Sequence, residues 1–309
     1  MGLLWGWGRG SPRGWGAWRA AGSGTSSGSA SLLGVGAILL WSTLATLTAA
    51  AAAIPPFETT AIVFAIGGGL VAATALLRGR AGLLRPTPAS FALGLYGFFG
   101  YHALYFAALK LAPPAEASLI TALWALLTVL LSSLLPGHRL RAGHIVGALM
   151  GLAAATLLAW DHLGGGGDAG GRMLGFALAF GCALVWSSYS VASRLFAAVP
   201  SESIAAPCLA TSALALACSL VFERWVMPPD ALSWLALIGL GIGPVGAAFM
   251  LWDIGMKRGN VPLLGVLSYA ALILSTALLI LCGLAEPTWT LAVACVVMVA
   301  AAVIATRAG

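Results

Sequence analysis

The stretch FFGYHALYFAALKLAPPAEASLITALW, Phe98 to Trp124, decides how this chain is read. It is apolar enough for a membrane segment, yet it carries aromatic residues with polar tips. Phe98, Tyr101, His102 and Tyr105 stand at i, i+3, i+4 and i+7, so a helix places them on one face. A phenol hydroxyl left unpaired in hydrocarbon costs a few kcal/mol, roughly. Lipid gives no reason for two tyrosines and a histidine at mid-depth, so this face is expected to line a wet cavity enclosed by protein. Aromatic packing between helices is the plainer alternative for each ring taken alone.

The surrounding composition fits that reading. Of 309 residues, 61% are hydrophobic and 8% charged, with a mean hydropathy of +1.00. Soluble domains carry about 25% charged residues, so the chain is expected to be an all-α integral membrane protein. The net charge of +6 is spread among short loops, which is a topology signal rather than a nucleic-acid patch. Cys182, Cys208, Cys218, Cys282 and Cys295 each lie in an apolar run without zinc-site spacing. They are expected to be buried, reduced packing residues, and neither metal nor cofactor is implied.

Residues 1–30 form a Gly, Ser, Trp and Arg-rich tail, interrupted too often for a signal peptide. Ten apolar runs follow, near 31–53, 58–77, 89–110, 114–135, 142–160, 172–196, 202–222, 231–256, 261–282 and 288–306. Each approaches the ~20 residues a helix needs to cross a bilayer. Apart from prolines at run ends, only Pro207 and Pro244 lie inside runs. With a cytoplasmic N-terminus, the inner side holds twelve Lys and Arg and the outer side three, Lys110, Arg172 and Arg224. That bias places both termini in the cytoplasm.

A glycine-rich linker, 161–171, divides the runs five and five, giving repeats over 31–160 and 172–309. Trp41-Ser-Thr in the first run returns as Trp186-Ser-Ser in the sixth. Setting Lys110 against Lys257 also aligns Gly97 with Pro244, Tyr105 with Trp252 and Thr121 with Ser268. Five is odd, so the halves would enter the membrane from opposite sides. That is an inverted repeat, a plan that places a substrate site near the midplane of many carriers.

LLGVGAILLWST (32–43), ALVWSSYSVASR (183–194) and LWDIGMKRGNVPLLGVLSYAALILSTALL (251–279) resemble the drug/metabolite transporter superfamily of EamA type. More narrowly they are similar to its bacterial aromatic amino-acid exporter (YddG-like) branch, across nearly all of 31–306. The resemblance implies ten helices in inverted repeats and amino-acid efflux across the bacterial inner membrane by alternating access. The chain departs from that branch where an NYLWP segment reads Thr121-Ala-Leu-Trp124-Ala, where Asp253 replaces Asn, and where Ala270, Ala271 and Leu272 follow Ser268-Tyr269.

An amino acid is a zwitterion, and the residues expected at its site suit one. Trp41, Trp124 and Trp186 offer π-faces to an ammonium, each worth about 0.5–2 kcal/mol. Tyr101, His102, Tyr105, Ser268 and Tyr269 supply polar tips. Pro244 cannot donate to the Leu240 carbonyl and should kink its helix; with Gly97 it is the expected hinge. Asp253 is the one carboxylate well inside a run. At i,i+4 from Lys257 it reads as a snorkelling pair near the cytoplasmic side, with proton coupling as the sharper alternative. Gly241-Ile-Gly-Pro-Val-Gly246 matches GxGxxG, but inside an apolar run its glycines serve helix contact, as do Gly147 and Gly151.

Three competitors remain. An exporter of other metabolites or lipophilic cationic drugs would need a carboxylate deep in the cavity. A membrane-bound enzyme acting on lipid-linked substrates would need clustered acids or His and a sizeable soluble loop. A passive channel would show no counterflow. Lipid and small-molecule substrate are the expected partners, nucleic acid is not, and the chain is expected to act as a monomer.

Overall fold

The computed structural model describes residues 26–112, 114–135, 140–159, 169–283, 287 and 289–308. Residues 1–25 of the expected tail and 161–168 of the expected linker lie outside them. No strand occurs among the described residues. Their helices are α1 (Ser27–Ala50, broken at Thr43), α2 (Pro56–Leu77), α3 (Pro88–Leu111), α4 (Pro114–Thr121), α5 (Leu123–Leu134) and α6 (Ala142–Ala159). Then come α7 (Ala169–Ser193), α8 (Ser201–Phe222), α9 (Ala231–Arg258), α10 (Val261–Leu281) and α11 (Trp289–Ala308). Seven of these, α1, α2, α3, α7, α8, α9 and α10, are long and apolar enough to cross a membrane.

Helix starts follow from local chemistry. Ser26, Thr87, Asp230 and Asn260 accept a hydrogen bond from the backbone N–H three residues on, capping α1, α3, α9 and α10. The same bond, from Ser233, holds the exposed Asp230 carboxyl below the usual range. Pro56 and Pro88 open α2 and α3, where a missing N–H costs nothing. The run read as 114–135 is split at Ala122 into α4 and α5, and α1 begins at Ser27, inside the stretch read as tail.

Two spans are not regular. Tyr96–Gly100 in α3 and Gly241–Ala247 in α9 are π-helical. A π-turn inserts a residue and rotates what precedes it, which corrects the expected common face in α3. Phe98 turns away into the core, fully buried, with its ring stacked on Phe249 at 4.7 Å. Tyr101, His102 and Tyr105, beyond the π-turn, keep a shared face.

Small residues let these helices approach. A Cβ on Gly67 of α2 would lie 2.8 Å from the Gly241 carbonyl oxygen and 2.8 Å from the Gly246 nitrogen, so α2 packs backbone to backbone against the π-turn of α9. Gly34 and Gly255 bring α1 onto α9, with a Cβ on Gly255 2.8 Å from the Gly34 Cα. Gly147 and Gly151 of α6 admit α11 and the Tyr269 ring. The cysteines are free; Cys182 and Cys208 are buried, whereas Cys282 is exposed at the end of α10, contrary to the expectation that all five are buried.

Gly67→Ala should lower stability by about 1–3 kcal/mol through overpacking against backbone that cannot yield. Gly69→Ala, where a Cβ meets nothing within 4 Å, should be neutral. Thermal unfolding of the two variants in detergent compares them directly.

Candidate functional site: a central cavity walled by aromatic rings

The lone indole of α1 organises the centre of the molecule. Trp41 stands 5.7 Å from Trp186, 6.4 Å from Trp124, 5.0 Å from Trp252 and 6.1 Å from Phe249, ring centre to ring centre. Trp41, Trp124 and Trp186 meet mutually edge to face, an arrangement the aromatic quadrupole favours. The Trp41 Nε1–H donates to the Pro244 carbonyl at 2.9 Å, inside the π-turn of α9. The sequence pointed to the Leu240 carbonyl as the one Pro244 leaves exposed; the carbonyl that takes a side-chain donor is Pro244's own.

Beside these rings lies a cavity of about 450 Å³, within the size range of small-molecule sites. Every residue expected to contact substrate lines it: Trp41 from α1; Tyr101, His102 and Tyr105 from α3; Trp124 from α5; Trp186 from α7; Ser268, which caps the first turns of α10, and Tyr269 within it. Gly97 and Pro244 do not line it. They sit in the two π-turns behind its wall. None of the described lining residues is Asp, Glu, Lys or Arg.

The polar tips are differently committed. His102 Nδ1 lies 2.7 Å from the Phe98 carbonyl, which can only accept, so Nδ1 carries a proton, and in the neutral tautomer that fits this contact Nε2 is an acceptor. Tyr101 and Tyr105 stack at 5.9 Å. The Ser268 hydroxyl donates to Leu264 in its own helix at 2.7 Å, leaving its oxygen lone pairs to accept. The Tyr269 hydroxyl approaches the Leu126 backbone without closing a good hydrogen bond.

Sequence reasoning missed Phe249, Thr121, Ser118, Ser275 and Thr276 as lining residues. The repeat register that pairs Lys110 with Lys257 also pairs His102 with Phe249, which was signal enough for one of them. Ser275 and Thr276 continue the face of Ser268 and Leu272 along α10, at helical spacing.

Asp253 is not at the cavity. It pairs with Lys257 at 2.7 Å and accepts from the Ser201 hydroxyl, while Lys257 Nζ donates to the Val199 carbonyl at 2.9 Å. Both side chains are about 95% buried. The snorkelling pair is therefore corrected: the charges are held by protein partners, not by headgroup water.

A bundle of membrane-length helices around a ring-lined cavity is the architecture of a small-molecule carrier. The chain belongs to the EamA-like transporter family, whose model matches twice, over residues 28–160 and 173–307. It is 54% identical to a protein named aromatic amino acid exporter YddG, from Ancylobacter novellus, over 91% of this chain and 98% of that one. A crystal structure of a protein at 54% identity superposes with a TM-score of 0.87, covering 91% of this chain and 98% of the other.

Trp41→Phe keeps the ring and deletes the donor, leaving the Pro244 carbonyl without its partner. A loss of about 1 kcal/mol in stability is expected. Chemical denaturation in detergent measures it, with Trp234→Phe, an exposed indole on α9, as the neutral control.

Proposed function

We propose that this chain exports amino acids, aromatic ones included, across the bacterial inner membrane by alternating access. The observation that carries the reading is the cavity. Three tryptophan faces and the His102 Nε2 suit an ammonium, and the Tyr101 and Tyr105 hydroxyls can donate to a carboxylate, while the described lining holds no fixed charge. A zwitterion of zero net charge leaves no ion uncompensated there; a lipophilic cation would. The relative from Ancylobacter novellus carries a name of the same meaning. In this reading the eight expected residues contact substrate, and the π-turns at Gly97 and Pro244 are the hinges.

The same proposal takes the chain as ten spans in two inverted five-helix repeats, 31–160 and 172–309, joined by the linker 161–171. The seven long helices together with the shorter apolar α5, α6 and α11 supply that number. Packing supports the symmetry. The register exchanges α1 with α7 and α3 with α9; α1 packs on the C-terminal part of α9, and α7 packs on the Tyr101–Leu111 part of α3. The helices the register leaves facing one another, α2 with α8 and α6 with α11, also pack closely. Both termini are cytoplasmic on the Lys and Arg bias, and one chain encloses the cavity, so the monomer is the working unit. No residue of the cavity is assigned a chemical step, and the protein is not an enzyme in this reading.

Reconstituted in liposomes, the protein should exchange labelled phenylalanine against unlabelled aromatic amino acids, and quaternary amines should not compete. Competition by the amines in place of amino acids would transfer the reading to drug export. Trp124→Ala and Trp186→Ala should each weaken apparent affinity by roughly 2- to 30-fold, as loss of a cation–π face implies. Full counterflow at wild-type concentrations would remove those rings from the site.

A further inference from the structure

Two groups of helices wall the cavity, and among the described residues they are seated on each other toward one end. In the first, α1, the C-terminal part of α9 and α10 pack together; in the second, α7, the later part of α3 and α5 do. Toward the end bearing Lys110, the wall is formed by Leu44 and Ala45 of α1, Ser118 of α4 and Ser275 and Thr276 of α10, all of them cavity residues. Toward the end bearing Lys257, the groups touch. Gly265 of α10 is seated on α5: a Cβ there would lie 2.7 Å from Val129 Cγ2 and 3.2 Å from the Ala125 carbonyl oxygen.

Two side chains bridge the groups toward that closed end: the Trp252 indole of α9 donates to the Ser190 hydroxyl of α7 at 3.1 Å, and Arg194 reaches further, to the end of α9. Arg194, just beyond α7, donates through Nη1 to the carbonyls of Met256 at 3.0 Å and Gly259 at 2.7 Å. These carbonyls terminate α9, where helix geometry leaves acceptors without intrahelical donors and the dipole is negative. A guanidinium is matched to that place in both charge and hydrogen bonding.

The repeat has no equivalent at the other end. The register that pairs Trp41 with Trp186 sets Ala49 against Arg194, and the one that pairs Lys110 with Lys257 sets Ser118 against Gly265. Where one end has a cation and a seated glycine, the other has a methyl group and a residue lining open space. We propose that Arg194 is the latch of the cytoplasmic closure, a positioning residue whose bridge to the end of α9, over the Gly265 seat, holds the carrier open to the outside at rest. This rests on the carrier reading and its orientation. Among the inner cations counted for topology, Arg194 then has a second role in setting the conformational equilibrium.

A ligand's apparent affinity scales with the fraction of protein in the competent state, so the latch is tested by measuring each face separately. Counterflow of labelled phenylalanine in vesicles of defined sidedness gives the two apparent affinities. Arg194→Gln should tighten the cytoplasmic-face value by roughly threefold or more, with the external-face value unchanged or weaker. Arg194→Lys should shift it less, because an ammonium can still reach one carbonyl. Gly265→Ala, which wedges the seat without touching the guanidinium, should shift it in the same direction and supports the proposal even if Arg194→Gln does not fold. Values unchanged at both faces, or weakened equally at both, overturn the latch. Absence of counterflow in the unmodified protein would instead defeat the carrier reading itself.

Discussion

A broken helix inside hydrocarbon survives only where protein satisfies the backbone that the break exposes. Here two breaks, at Tyr96–Gly100 and Gly241–Ala247, sit at repeat-related places, and most of the molecule is arranged to cover them. The Trp41 indole reaches the Pro244 carbonyl, and α2 comes to backbone contact through Gly67. On the other break, Gly97 lets the Tyr189 ring lie against the chain. The Trp41 ring that protects one of these turns also walls the cavity, whereas the Tyr189 ring at the other turn lies behind the wall. At Trp41, covering the backbone and shaping the site are one structural solution.

Much of this was legible in the sequence, because a bilayer imposes a length and a polarity that few other environments do. The apolar runs became helices with caps at residues such as Thr87 and Asn260. The cavity face of Tyr101, His102 and Tyr105 was readable from helical spacing alone. Phe98 was misplaced for a definite reason: periodicity at 3.6 residues cannot foresee a π-turn, which depends on what Tyr189 and Phe249 offer across the interface. Asp253 was misjudged on similar grounds. Spacing predicts its pairing with Lys257, but burial of that pair is supplied by Ser201 and Val199, more than fifty residues away in sequence.

The buried pair and the cavity illustrate two ways of handling charge away from water. Asp253 and Lys257 neutralise each other and pass their remaining hydrogen bonds to neighbours, a geometry that loses much if either partner is removed. The cavity takes the opposite course and contains no fixed charge among its described lining residues. For the proposed carrier, a site that must release its ligand on each cycle gains from this, because neutral π-faces and hydroxyls would hold a zwitterion without the depth of binding that a fixed counter-ion would create. Specificity then comes from shape and from the directions of a few hydrogen bonds.

Inverted repeats make two conformations nearly equivalent by construction, since exchanging the halves exchanges the open and closed ends. Near-equivalence is useful for a carrier, but it leaves the resting state undecided unless the halves differ. In the proposed repeat, the differences that matter lie at corresponding places of the two opposite ends: Arg194 against Ala49, Gly265 against Ser118, and Asp253 against Phe106. On one side of the membrane these residues give a guanidinium on helix-end carbonyls, a close backbone seat and a buried ion pair. On the other they give a methyl group, a cavity hydroxyl and an edge-to-face contact between Phe57 and Phe106 at 5.5 Å. Polar contacts of the first kind are directional and break nearly all at once, whereas apolar contacts of the second kind weaken gradually as surfaces separate. On the proposed alternating-access reading, the energetic bias is written in the few positions where the repeat is imperfect, while the capacity to move comes from the many positions where the repeat is kept.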